Sequence, residues 1–285
     1  PVGVFLSGGI DSGLLTAIAA KLQGGALKTF TVRFDEGAFD ESPLARLVSE
    51  RYGTEHQSIH LSPRIGDLLP RVVAAYDEPF ADSSQIPTQL ISALARQHVT
   101  VAISGDGGDE LFCGYDRYGV SRMLWQRTEW MSRSVRSTLS RMLSALPLSA
   151  WDRAFRWAAP LFNRQADRVS DKVYKLGELL AEEAPEALYL GLMAHWKDTS
   201  SLVPDAGEPK TVLTDPDQWA DLPDFVQWMM YLDLISYLPC DILTKLDRAS
   251  MGVGLEARVP LLDHRVVGFA WRVPMSMKRR NGQGK

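Results

Sequence analysis

Along the first 120 residues, short apolar runs alternate with stretches in which apolar positions recur every three or four residues. "VGVFL" (2–6) is continuously apolar, the mark of a strand covered on both faces. A helical pattern follows to about Leu22, where Gly24 and Gly25 stop it. "KTFTVRF" (28–34) predicts a second strand. Ser42-Pro43 predicts a helix start, with Ser42 as N-cap and Pro43 at the first helical position, and that helix ends near Gly53. "EHQSIHL" (55–61) predicts a third strand, Ser62-Pro63 a helix running to about Tyr76, "IPTQLISALARQH" (86–98) another helix, and "VTVAIS" (99–104) a fourth strand. Strand and helix alternating at this spacing imply βαβ units and a parallel, doubly wound α/β sheet.

The pattern changes near residue 115. Residues 117–200 are rich in Trp, Leu, Met and Arg and show no strand pattern, so a large, mostly helical remainder is expected. Ten arginines from Arg117 to Arg168 give it a basic cast, read either as a solvated helical face or as a surface that attracts anions. "VPDAGEPKTVLTDPDQ" (203–218) reads as loop, and helices resume at about 223.

Composition narrows the class without naming it. The chain has 285 residues, 45% hydrophobic and 23% charged, as globular proteins do. A net charge of −4 gives no reason to expect nucleic acid as a partner. No apolar run reaches the roughly 18 residues of a membrane span, so no membrane role is expected. Two cysteines, Cys113 and Cys240, make no disulfide framework, and a reducing cytoplasm is the expected location. The chain opens without Met, inside a strand pattern, and is expected to be part of a longer protein.

Chemistry concentrates in two strand-to-helix turns. "SGGIDS" (7–12) follows the first strand. Helix N-terminal amides lack intrahelical partners and carry partial positive charge, so such a turn can hold an anion. Gly8 and Gly9 allow close approach, and Ser7 and Ser12 add hydroxyls. Asp11 would repel a phosphate unless a divalent cation lay between them. Neither a Walker loop nor a G-x-G-x-x-G dinucleotide loop is present. "SGDGGDELFCGYDRY" (104–118) repeats the arrangement after the fourth strand, with Asp106, Asp109 and Glu110 in five residues. In a parallel sheet both turns lie at the carboxyl edge, where ligands bind. An ordinary glycine turn and an acidic solvent loop are the alternatives for each turn alone; together they favour a nucleotide–metal site.

These segments, with "ADSSQIPT" (81–88) and "LTKLDRASMGVGLEARVPLLDHR" (243–265), resemble the synthetase domain of the glutamine-hydrolysing asparagine synthetases. "SGGIDS" itself resembles the pyrophosphate loop of the N-type ATP pyrophosphatases. The resemblance implies an adenine-nucleotide alpha-hydrolase-like core over 1–120 and a helical part of the same synthetase domain over 121–285. A glutaminase domain and a C-terminal tail would complete it. It implies a ligase of asparagine biosynthesis: ATP is cleaved to AMP and pyrophosphate, aspartate is activated as β-aspartyl-AMP, and ammonia drawn from glutamine displaces AMP. ATP and Mg²⁺ are the implied cofactors, and a homodimer the implied assembly. Ser7, Gly8, Gly9, Asp11 and Ser12 would hold pyrophosphate and metal, and Asp109 would be the second metal carboxylate. Ser104, Gly105 and Val32 would contact adenosine, and Asp106 would act in acyl transfer.

Asp247, Arg248, Glu256 and Arg258 are charges in an otherwise apolar run, so they must be paired or face ligand. Glu256 and Arg258 are catalytic candidates, Arg258 as the bidentate partner of the substrate carboxylate. Cys113 stands where the family has glycine, and both cysteines read as incidental. None of Lys245, Lys278 and Lys285 matches the family's lysine motif, and no lysine is assigned. The alternatives are a relative amidating another carboxylate or closing a β-lactam, and a nucleotide-binding module without activity.

Overall fold

In the computed structural model the described residues are 1–23, 26–35, 37, 40–61, 66, 68–76, 78–145, 147, 150–151, 176–177, 179–180, 182, 184–194, 196 and 209–279. Val2–Phe5 (β1) leads into Ile10–Gln23 (α1) and Lys28–Arg33 (β2). Ser42–Tyr52 (α2), Glu55–His60 (β3), Leu69–Ala75 (α3) and Gln85–Arg96 (α4) follow. Val101–Ile103 (β4) runs into the short helix Gly108–Phe112 (α5). Asp116–Thr128 (α6), Arg133–Ala145 (α7), Pro185–Met193 (α8) and Phe225–Leu232 (α9) come next. Asp233–Leu243 (α10) is wound in wide π-type turns with Pro239 inside it, and continues as Thr244–Met251 (α11). Glu256–Arg258 (β5), His264–Arg272 (α12) and Met275–Lys278 (α13) close the described chain.

The five strands form one parallel sheet in the order β3-β2-β1-β4-β5. The chain winds outward one way from β1 to β3, then returns to the other side of β1. That reversal lies between β1 and β4. In open α/β sheets ligands bind outside the carboxyl ends of the strands at this point. Adjacent residues of β4 feed opposite faces, as strand geometry requires. Ala102 joins Phe30, Ala95, Val99 and Leu255 in one core cluster, while Ile103 packs on Leu15, Leu111, Leu261 and Ala270 in another.

The chain divides into two compact units, 1–114 with 230–285, and 115–229. The first holds the whole sheet. In the second, no described residue is in a strand. Its core holds the fully buried Tyr118 and Tyr189, with Trp228 edge-on to both Tyr189 and Trp219. Two of the arginines spend their charge on rings: Arg117 lies 3.8 Å from the Tyr115 ring centre and Arg136 5.1 Å from that of Trp125. Arg153, Arg156, Arg164 and Arg168 fall outside the described residues.

Two local features differ from the reading, the start of α2 and the presence of β5. The N-cap of α2 is Glu41 and not Ser42, because the carboxylate of Asp40 already takes the Ser42 amide at 3.2 Å. The α2 end is as read: Gly53 sits at φ +64 and closes the helix in the left-handed region. The helix start expected at Ser62 lies outside the described residues; α3 begins at Leu69, with Pro70 in the first turn. β5 has no counterpart in the apolar pattern of the sequence, because a three-residue edge strand with charged ends carries none.

Candidate active site

The turn after β1 is built from its own side chains. The Ser7 amide donates to Ser12 Oγ at 3.1 Å, the Gly9 amide to Ser7 Oγ at 3.1 Å, and the two hydroxyls lie 2.9 Å apart. Ser7 and Ser12 therefore brace the turn. A Cβ on Gly8 would lie 2.7 Å from Leu44 Cβ, so the glycine lets α2 press on the loop. The Gly8 amide donates to Glu41 Oε2 at 3.2 Å.

The turn after β4 meets it directly. A Cβ on Gly105 would stand 3.2 Å from Asp11 Cβ and from the Ser12 amide nitrogen. Gly107 has φ +84 and opens α5, whose first turn carries Asp109 and Glu110. Ser104 is buried and donates through Oγ to Asp106 Oδ2 at 2.6 Å. Burial pushes the Asp106 carboxyl above the ordinary value. The Ser104 bond and the charge of Lys245 act against that, and Asp109 and Asp11 add to it. Cys113 ends α5 buried, at φ +59, a left-handed position that favours glycine.

The two turns border a cavity of about 680 Å³. Of the expected site residues, Ser7, Gly8, Gly9, Asp11, Ser12, Val32, Gly105, Asp106 and Asp109 line it. Phe5, Thr31 and Phe34 from the ends of β1 and β2, and Pro87, Thr88 and Ile91 from α4, supply an apolar side. Ser104 stands behind the wall and is felt through Asp106. Glu256 and Arg258 lie outside the lining. They are on the edge strand β5, at least half exposed, and ion-paired with each other through Arg258 Nη2 and Glu256 Oε1. The Arg258 carbonyl, however, accepts the Ser104 amide at 2.8 Å, tying β5 to the loop. Asp247 and Arg248 likewise pair, at 3.1 Å.

Three further residues belong to the site's surroundings. Glu41 lines the cavity. Lys245 is buried with Nζ 2.6 Å from Asp82 Oδ2, and Asp82 Oδ1 also takes the amide and hydroxyl of Ser84. Burial alone would raise the Asp82 carboxyl, but the Lys245 and Ser84 bonds hold it below the usual range. Lys245 carries no mark of this in the polar stretch "LTKLDRAS"; its burial shows only in the structure, where the ammonium needs a carboxylate.

Among the described residues the lining contains four carboxyl groups, Asp11, Glu41, Asp106 and Asp109, and no Lys, Arg or His. These carboxylates repel a polyanion, and a cation between them would offset that repulsion. The donor set is hard oxygen, which suits Mg²⁺. Among the described residues no three His, Cys, Asp or Glu side chains converge to hold a metal unaided.

The family model for asparagine synthase matches residues 1–285. The glutamine-hydrolyzing asparagine synthetase 1 of Bacillus subtilis strain 168 is 31% identical over 286 residues, covering 100% of this chain and 42% of its own length. A putative glutamine-hydrolyzing asparagine synthetase of Mycobacterium tuberculosis H37Rv is 30% identical over 278 residues, covering 97% of this chain and 40% of its own. The amidase chyE of Penicillium rubens is 27% identical over 311 residues, covering 98% and 44%. The chain thus spans about two-fifths of the length of the curated relatives it matches. A parallel sheet with two glycine turns meeting at its reversal point, and a family match along its whole length, place this chain in the asparagine synthase family.

Proposed function

We propose that the chain is the ATP-cleaving, amide-forming part of a glutamine-dependent asparagine synthetase. The observation that carries this reading is the cavity at the sheet reversal, where Ser7–Ser12 and Gly105–Asp109 meet with two metal-competent carboxylates, Asp11 and Asp109. Val32 and the apolar side from β2 and α4 receive the adenosine, and the loop amides with Ser7 and Ser12 receive the polyphosphate. Mg²⁺, when bound, neutralises charge on the departing pyrophosphate, and Asp11 and Asp109 are the residues that hold it.

An aspartate side-chain oxygen attacks the α-phosphorus and the bond to pyrophosphate breaks, leaving β-aspartyl-AMP. Ammonia then attacks the acyl carbon, AMP leaves with the bonding pair, and the surplus proton passes to a base. Asp106 is the proposed group near that step. Arg258 is the proposed partner of the acceptor's carboxylate once its pair with Glu256 opens. Ammonia comes from a glutaminase domain of the full-length protein. A second acceptor remains in view because the amidase relative from Penicillium matches nearly the whole chain.

The test is pyrophosphate and AMP release by the chain with ATP, Mg²⁺ and ammonia across a panel of carboxylic acids. Release that depends on aspartate supports the reading. Release with another acid alone moves the acceptor. ADP and phosphate, or no cleavage with any acid, overturns it.

A further inference from the structure

Glu41 has no part in the chemistry above, yet its side chain reaches the anion loop from 33 residues away. The amides of Ser7 and Gly9 are taken by hydroxyls belonging to the loop and the first turn of α1. The Gly8 amide is taken by a full negative charge, Glu41 Oε2 at 3.2 Å. That geometry is the one a bound phosphate oxygen would use, since a backbone amide donating to an anion makes the stronger, charge-assisted bond. The contact is held by packing. Leu44 presses on Gly8 so closely that a Cβ there would not fit, and Glu41 stands one turn before Leu44. Nor is the carboxylate needed by its own helix, because Glu41 is the α2 N-cap but makes no side-chain cap bond. It is exposed, and it faces the cavity.

We propose that Glu41 is an internal occupant of the anion loop and a specificity-determining residue: it holds the Gly8 amide in the free protein and excludes polyphosphates that arrive without a divalent cation. A metal-free polyphosphate must displace Glu41 and then sit beside its charge. A cation-bound one brings the compensating charge with it. The inference rests on the nucleotide reading and adds to it the form of polyphosphate that the loop accepts.

Calorimetric titration of inorganic pyrophosphate into the 285-residue chain tests this, with and without Mg²⁺, for wild type, Glu41→Gln and Glu41→Ala. Removing one like charge a few ångströms from the ligand, and its competition for one amide, is expected to tighten metal-free binding by about tenfold. With Mg²⁺ present the gain shrinks to about twofold or less, so the ratio of metal-bound to metal-free affinity collapses in both variants. Equal or weaker metal-free binding by the variants, with the wild type binding normally, overturns the occupant role and leaves the nucleotide reading intact. Binding of neither pyrophosphate nor ATP by any of the three, with or without Mg²⁺, overturns the nucleotide reading and the occupant role with it.

Discussion

Gly105 is the residue at which the two loops touch. A methyl group there would push against Asp11 and the Ser12 amide, which belong to the opposite loop. Gly105→Ala is therefore expected to leave the sheet folded and to misplace one loop by a few tenths of an ångström. A full ångström of misplacement costs on the order of 10²-fold in rate, so this smaller one is expected to cost about tenfold. Pyrophosphate release against melting temperature separates the two effects. Asp106 gives a second test, in stability. Its folded-state pKa is raised, chiefly by burial, so the folded form keeps its proton to higher pH than the unfolded form. Wild-type stability then falls as pH rises from the ordinary carboxyl range through the raised value. Asp106→Asn keeps an acceptor for Ser104 Oγ and removes that penalty. Its melting temperature should gain on wild type as pH rises, and a difference that stays constant from below the ordinary carboxyl range up to neutral pH would count against the shift. The residues of both loops were legible in the sequence because glycine, hydroxyl and carboxylate recur together after apolar runs. Glu41 was not: a glutamate in a polar stretch before a helix carries no mark of what it will touch.

Between elements, the tie that matters most to the site joins α11 to the segment between α3 and α4. Lys245 and Asp82 are 163 positions apart and nearly closed to solvent, and Tyr76 adds a bond from its hydroxyl to the Lys245 carbonyl at 3.3 Å. Tyr76 is itself pushed up to about 12 by burial and the charges of Asp82 and Asp241, so the hydroxyl stays protonated and donates. Lys245→Met should cost about 3–5 kcal/mol in urea unfolding, because it strands a buried carboxylate. The double variant with Asp82→Asn should lose markedly less than the single. If the single variant is as stable as wild type, the pair is not the tie described. Most of the sheet could be read from sequence, since β1 and β4 are apolar runs and β2 is a β-propensity stretch whose Thr29, Phe30 and Thr31 are buried. β5 could not. It is Glu-Ala-Arg on the sheet edge, and what makes it a strand is the backbone ladder with β4, including the Glu256 amide to Thr100 and the Ser104 amide to Arg258.

For the molecule, the unit holding the sheet is assembled from both ends of the chain, 1–114 and 230–285. A fragment ending at Gly114 would keep four strands and leave β4 as a bare edge. It would also expose Leu15, Leu111 and Ile103, which pack on Leu261 and Ala270. Unpaired edges and uncovered apolar faces drive self-association. The fragment should elute as an aggregate and lack a near-ultraviolet circular dichroism signal, and a monomeric, cooperatively unfolding fragment would refute this.

The Ser104 amide bonded to the Arg258 carbonyl also carries a message about time. A ribosome delivers Ser104 long before Arg258. At about 5–20 residues per second, the intervening 150 or so take on the order of ten seconds. Through that interval the acidic turn has no edge strand to fasten it, while the first glycine turn is already flanked by β1 and β2. The nascent chain can therefore hold one half of its cavity and still be unable to close around the nucleotide proposed for it. Ligand supplied during translation should protect the chain from protease only after residue 258 has cleared the exit tunnel.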